Sequence, residues 1–212
     1  MHLTRNYAPK TWPVPRKGTK YLVVPSHGIN STIPILIILR ELMNVAQNRK
    51  EAKKILDTGN IKVNERIIRK ENYPVALFDV LALGEKRFRV VLKNKKFNIE
   101  EAAKNESGMK IAKIIGRKIL KGKKQQINFN DGRNVLSNEK LRIGDSAIIN
   151  LKENTIEKII PLKEKSRALI IGGKHKSKEG DVEKIDEKKK LGIVIVGGEK
   201  LNVKLESLMA IK

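Results

Sequence analysis

The sequence predicts an α+β protein that is mainly β: an extended basic N-terminal arm, a small helix-pair and hairpin module, a central β-barrel-like domain and a last small β module. Three observations predict it. Helical spacing of apolar residues is concentrated between Ile35 and Leu56, whereas beyond Gly84 apolar residues fall into short runs separated by polar turns. Pro9, Pro13, Pro15, Pro25 and Pro34 crowd the first 34 residues, where they remove backbone donors and interrupt regular structure.

Residues 1–33 form the arm. Arg5, Lys10, Arg16, Lys17 and Lys20 alternate with Tyr7, Trp12 and Tyr21, so the segment offers cations and flat rings without a core of its own. It is expected to be extended, to order against a partner and to be removable without unfolding the rest. Residues 34–84 form the next module. Pro34 suits a first helical position, and Ile35, Ile38, Leu39, Leu42, Met43 and Ala46 continue at helical spacing. Asn48 followed by Glu51 makes a cap for a shorter second helix with Ala52, Ile55 and Leu56 inward and Gly59 as its stop. Ile61 and Val63, a turn at Asn64-Glu65, and Ile67-Ile68 then read as a hairpin.

Residues 85–163 are assigned to the central domain, with strands at Phe88–Leu92, Ile127–Phe129, Ala147–Leu151 and Ile156–Ile160. Asn130-Asp131-Gly132 and Lys152-Glu153-Asn154 are its hairpin turns. Lys110 to Lys124 fits a basic amphipathic helix by spacing, but Gly116 and Gly122 weaken it, and a basic strand pair or loop is the better reading. Pro161 to Ser166 reads as a hinge into residues 164–212. There Leu169-Ile170-Ile171-Gly172-Gly173 is echoed by Val194-Ile195-Val196-Gly197-Gly198, as two strands of one sheet would be.

Charge carries the functional signal. The chain has 46 Lys and Arg against 23 Asp and Glu, a formal +23, and no acidic residue precedes Glu41. Such a surplus repels itself unless it sits beside a dense polyanion, of which RNA is the natural example. Residues 41–84 are nearly balanced, yet Arg49, Lys50, Lys53 and Lys54 recur on one helix face opposite Ala52, Ile55 and Leu56, with Lys62 and Arg66 on the adjoining hairpin. Together they make a basic platform. Aromatic residues are only 4% of the chain, too few for rows of stacked bases, so recognition is expected to rest on phosphate geometry and backbone shape.

Other chemistries find little support. With no cysteine and three scattered histidines (His2, His27, His175) there is no metal-ligand pattern, and no cofactor or small-molecule substrate is expected. The longest apolar block, Ile33 to Leu39, contains Pro34 and falls far short of the roughly 20 residues of a spanning helix, so no membrane role is expected. The N-terminus lacks the order of a secretory signal, and a cytoplasmic protein is expected. Gly116 to Lys123 imitates a phosphate loop, but five residues separate Gly116 from Gly122 and Lys124 stands where Ser or Thr must hold magnesium. Asp131 and Asp145 each adjoin a glycine and read as turn residues, not as a catalytic pair.

The run Leu39-Arg40, Ala46, Asn48-Arg49, Glu51-Ala52-Lys53, Ile55-Leu56, Gly59, Ile61, Val63-Asn64 and Ile67 resembles the "S-four" RNA-binding motif, with Asn48 and Glu65 where many members carry Ser and Gly. The resemblance implies RNA contacts at Arg40, Arg49, Lys53, Lys62 and Asn64. Ahead of it, His2-Leu3, Ala8-Pro9-Lys10, Trp12 and Arg16-Lys17-Gly18 are similar to the N-terminal extension of the archaeal and eukaryotic e-type "S-four" small-subunit ribosomal protein family. Behind it come Tyr73-Pro74-Val75, Asp79-Val80 and Asp131-Gly132-Arg133. Ile171-Gly172-Gly173-Lys174 with Gly180 and Val182 resembles the KOW motif, which implies an SH3-like barrel over residues 164–212 with a glycine that allows close approach to RNA and contacts from Lys174, His175, Lys176 and Lys178.

The family resemblance implies a ribosome-bound, non-enzymatic binder of small-subunit ribosomal RNA that lies beside neighbouring small-subunit proteins. An RNA-modifying enzyme or a transcription-elongation factor built on the same modules is the alternative. The first requires a catalytic domain that the sequence does not display, and the second leaves the helical unit and the arm unexplained.

Overall fold

Thr32 to Leu39 are buried without a break, and a helix that is apolar on every side has to be enclosed by protein. That segment organises the first half of the chain. The computed structural model describes residues 2–102, 108–120, 125–137, 139 and 141–211. They fall into two compact units, Met1–Gly108 and Met109–Lys212.

In the first unit β1 (His2–Thr4) pairs with β2 (Tyr21–Val23), and β3 (Thr32–Pro34) leads into α1 (Ile35–Ile37), which widens into a π-helical turn over Ile38–Leu42. Met43 N donates to Ile38 O at 2.9 Å to close that turn. The helix expected through Ala46 stops early because Asn44 takes φ +53°, a conformation that Asn tolerates better than most residues. α2 (Arg49–Asp57) has the expected cap: Asn48 Oδ1 accepts from Glu51 N at 3.0 Å, and Glu51 accepts in return from Gln47 N at 2.7 Å. Gly59, at φ +74°, ends the turn that follows.

β4 (Ile61–Val63) and β5 (Arg66–Ile67) are joined by Asn64 and Glu65, both at positive φ, the pattern of a tight type I′ hairpin. β6 (Pro74–Ala76) pairs with β3, while β7 (Val80–Leu83), β8 (Lys86–Lys93) and β9 (Lys96–Glu101) complete a sheet in the order β5-β4-β7-β8-β9. The expected boundary at Gly84 is therefore not a break. Leu83 pairs with Lys86 across the turn, and Val90 and Leu92 are buried in this unit.

The arm also departs from expectation. It folds onto its own chain: Trp12 is 2% exposed and its indole Nε1 donates to Thr32 O at 2.9 Å. Phe97 N donates to Thr11 O at 2.8 Å and Ser26 N to Asn72 O at 3.2 Å, while Leu22 is buried. Burial of a ring of that size helps to order a proline-rich segment whose regular structure is limited to two three-residue strands and a 3₁₀ turn at Arg5–Tyr7.

Among the described residues the second unit is all β apart from a 3₁₀ turn at Leu205–Ser207. β10 (Met109–Ile119), β11 (Gln125–Phe129), β12 (Asn134–Ser137), β13 (Ser146–Asn150) and β14 (Thr155–Ile160) form a sheet in the order β12-β11-β10-β13-β14. Its edge strands β12 and β14 meet, so the sheet curls around Ala112, Ile114, Ile127, Phe129, Val135 and Ile149. β10 pairs with β13 through Lys113 and with β11 from Ile114 onward, with a bulge between Ile114 and Gly116. The strand reading of the cationic segment thus applies through Ile119, and Lys121 to Lys124 lie outside the described residues.

β15 (Arg167–Ile170), β16 (Glu179–Asp186), β17 (Leu191–Val196), β18 (Glu199–Lys204) and β19 (Leu208–Ala210) form a second antiparallel sheet in the order β18-β17-β16-β15-β19. The two echoed segments begin on β15 and β17, with β16 between them. The segment expected to be a hinge is pinned instead. Leu162 N donates to Asp145 Oδ1 at 2.9 Å, and Val182 N donates to Ser166 O at 2.9 Å.

Candidate nucleic-acid interface

α2 buries Ala52 and Leu56 and turns Lys50, Lys53 and Lys54 to solvent, as a period of 3.6 requires. Lys62 projects from the exposed position between buried Ile61 and Val63, and Arg66 is exposed on β5. Among the described residues none of these five cations has an ion-pair partner. None of the five is tied to a carboxylate of the described residues, although exposed Asp57 and Glu65 lie on the same helix and hairpin.

The two arginines of the same region are engaged. Arg40 donates through Nε and Nη2 to Glu41 Oε1 at 2.8 and 2.7 Å. Arg49 grips Glu71 with Nε and Nη2, and the hydrogen bonds and charge of Glu71 raise its pKa further. Arg49 remains 69% exposed, so this pair is accessible to an incoming anion. Glu41 is the sequence neighbour of Arg40, whereas nothing local announces Glu71, 22 residues from Arg49.

Three expected contacts have internal roles. Arg5 ties down the arm through Nε to Thr19 O at 2.7 Å and Nη1 to Pro15 O at 2.6 Å. Gly18 passes so close beneath that guanidinium that a Cβ there would lie 2.7 Å from Nη2. Trp12 is core and has no face to offer a base. Asn64 is 3% exposed; its Nδ2 donates to Asp79 Oδ1 at 2.8 Å and its Oδ1 accepts from Val80 N at 3.0 Å, so it fixes the hairpin turn. Lys10, Arg16, Lys17 and Lys20 are exposed, with Lys20 Nζ 5.3 Å from the Tyr21 ring centroid.

In the second unit the β15–β16 loop carries Lys174 and Lys178 exposed, with His175 and Lys176 half-buried. Burial lowers the Lys176 pKa. Gly180 was expected to allow close approach to RNA, but what it admits is its own sheet: a Cβ there would lie 2.2 Å from Ile195 O.

Sequence reasoning also missed two buried lysines on β10. Lys110 Nζ meets Asp131 Oδ2 at 2.7 Å, with the two side chains 1% and 3% exposed. Burial alone would raise the Asp131 pKa, yet the Lys110 charge and hydrogen bond, the Arg133 N–H and the Arg133 charge hold it below the usual carboxylate value. Lys113 Nζ donates to the carbonyls of Leu205, Glu206 and Leu208 at 2.6, 2.9 and 2.6 Å, and burial lowers its pKa to about 8. Three acceptors match the three donors of an ammonium.

The described residues contain no group of acids, histidines or cysteines able to hold a metal, and no helix long and apolar enough to cross a membrane. Among the described residues the protein is mainly β with few helices, and its exposed chemistry is rich in cations. The family described as "Ribosomal family S4e" matches residues 84–156. The chain is 34% identical over 198 residues to "Small ribosomal subunit protein eS4" of Methanothermobacter thermautotrophicus, covering 87% of this chain and 79% of that relative. It is 34% identical to the protein of the same name from Methanocaldococcus jannaschii, covering 91% and 83%. The crystal structure of the 30S ribosomal protein S4e from Thermoplasma acidophilum shares the fold with a TM-score of 0.75 at 24% identity, over 85% of this chain and 95% of that one. The chain belongs to ribosomal family S4e.

Proposed function

We propose that this chain is a structural constituent of the small ribosomal subunit, which binds and stabilises folded small-subunit ribosomal RNA during assembly and in the mature particle. It performs no covalent chemistry, and its place is on the cytoplasmic ribosome beside other small-subunit proteins. The observation that carries the reading is the set of five exposed cations on α2 and the β4–β5 hairpin, Lys50, Lys53, Lys54, Lys62 and Arg66, without carboxylate partners among the described residues. Phosphates of a folded RNA can be bridged by cations at fixed spacing, each contact releasing counterions.

Residues 34–84 act as the S-four module, with Arg40 and Arg49 released from their glutamates on binding. The exposed arm cations Lys10, Arg16, Lys17 and Lys20 add further phosphate contacts. Residues 164–212 act as an SH3-like KOW barrel that presents Lys174, His175, Lys176 and Lys178. The native protein is expected to co-sediment with small subunits on a sucrose gradient and to shift towards the top after a high-salt wash. Sedimentation apart from ribosomes at low salt refutes the reading.

A further inference from the structure

A cleft of about 530 Å³ opens in the first unit between β2, the α1 turn and the Glu71-Asn72 segment, within the roughly 300–1,000 Å³ usual for sites that enclose a small ligand. Its lining brings together Arg40, Arg49, Glu71, Asn72 and Tyr21 with apolar residues that include Leu22 and Ile37. Tyr21 is 47% exposed in a chain where Trp12 is buried, and its ring already lies 5.3 Å from Lys20 Nζ, an arrangement that a stacked base would share or displace.

The walls are set before any ligand arrives. β1 pairs with β2 through Thr4 and Tyr21, Arg5 holds Thr19, Ser26 N donates to Asn72 O at 3.2 Å, and Leu36 N donates to Glu71 O at 3.2 Å. Preformed walls reduce the ordering cost of binding. Glu71 presents two oxygens to Arg49 in the forked geometry that a phosphate also offers. An exposed ion pair contributes little to stability, so its exchange for a phosphate costs little. Unstacked bases of folded RNA, for their part, are taken up on aromatic rings.

We propose that this cleft receives one unstacked nucleotide of an RNA strand, its base against the Tyr21 ring and its phosphate held by Arg49 in exchange for Glu71. The proposal rests on the ribosomal RNA reading above and adds a base contact to what is otherwise recognition of phosphates. Asn72 and Arg40 also line the cleft, the latter with Nε and Nη2 on Glu41.

The test is binding of the full chain to a transcript of small-subunit ribosomal RNA across a salt series, with photocrosslinking of the wild-type complex. Tyr21→Ala is expected to weaken binding roughly 5- to 150-fold, the range for loss of one base–aromatic stack. The slope of log affinity against log salt stays unchanged, because a ring releases no counterions. Tyr21→Phe binds as the wild type does, and the photocrosslink maps to Tyr21. Wild-type protein that fails to bind the transcript overturns the ribosomal RNA reading itself. If the wild type binds and Tyr21→Ala binds equally well, the nucleotide site alone is overturned. Should Tyr21→Ala lose its fold, the crosslink decides: an adduct on Tyr21 supports the site, and adducts confined to residues outside the cleft overturn it.

Discussion

The lysines of α2 and the lysines of β10 have the same chemistry and opposite fates. Lys50, Lys53 and Lys54 stand on a helix whose opposite face is buried, so the period of the helix delivers them to solvent. Lys110 and Lys113 lie on a strand that is covered on both sides, and each is enclosed with acceptors that satisfy it. A net charge of +23 counts both kinds alike. The lesson is that a cation's availability is set by the element that carries it, and that part of this protein's basic character holds its own second unit together.

The sharpest way to break that comparison is Asp131→Asn, which keeps the shape and leaves the Lys110 ammonium buried without its counter-charge. The second unit should lose about 3–5 kcal/mol, the usual cost of orphaning half of a buried ion pair, read from denaturant unfolding. The paired change Lys110→Met with Asp131→Leu should recover most of it, since well-packed apolar replacements of whole pairs are often neutral. A wild-type-like Asp131→Asn would mean that the pair is open to water.

Acid provides a second probe of the same site. The Asp131 carboxyl titrates lower in the folded chain than in the unfolded chain, so its stabilising contribution is complete above the unfolded value of 3.8 and is lost as pH falls through the lower folded value. Acid unfolding followed in the wild type should therefore include a component below pH 3.8 that Asp131→Asn lacks.

Trp12→Ala tests the arm. Removal of a fully buried aromatic side chain should cost about 3–5 kcal/mol in the first unit, where a free tether would cost nothing measurable. Asn48→Ala should cost about 1 kcal/mol through loss of the α2 cap, seen as a small drop in melting temperature. Replacing Lys50, Lys53 and Lys54 together by Gln should move stability by no more than about 0.5 kcal/mol per site, although these are the residues on which binding is argued to depend.

What the sequence disclosed and what it hid divides along a line of distance. The α2 cap, the Gly59 stop and the Asn64-Glu65 turn rest on signals within a few residues, and all were legible. The fate of Trp12 depends on the Thr32 carbonyl 20 residues away, that of Arg49 on Glu71, and that of Lys113 on carbonyls more than 90 residues later. No local pattern encodes such pairings. The boundary placed at Gly84 had a different cause: the change from helical to alternating spacing marks a change of element, and β7 and β8 continue one sheet through it. Asn64 was expected as an RNA contact from the motif resemblance alone, and its burial against the Asp79 carboxylate, 15 residues away, had no local signal.

The central claim is that affinity resides in the exposed platform. It is tested most directly by the slope of log binding constant against log salt for the small-subunit RNA transcript, wild type against the Lys50, Lys53 and Lys54 to Gln triple variant. Each phosphate left without its lysine should flatten the slope by about 0.7–0.9, so the account predicts a reduction of about 2 to 3 with the fold intact. A triple variant with the wild-type slope and affinity would contradict it.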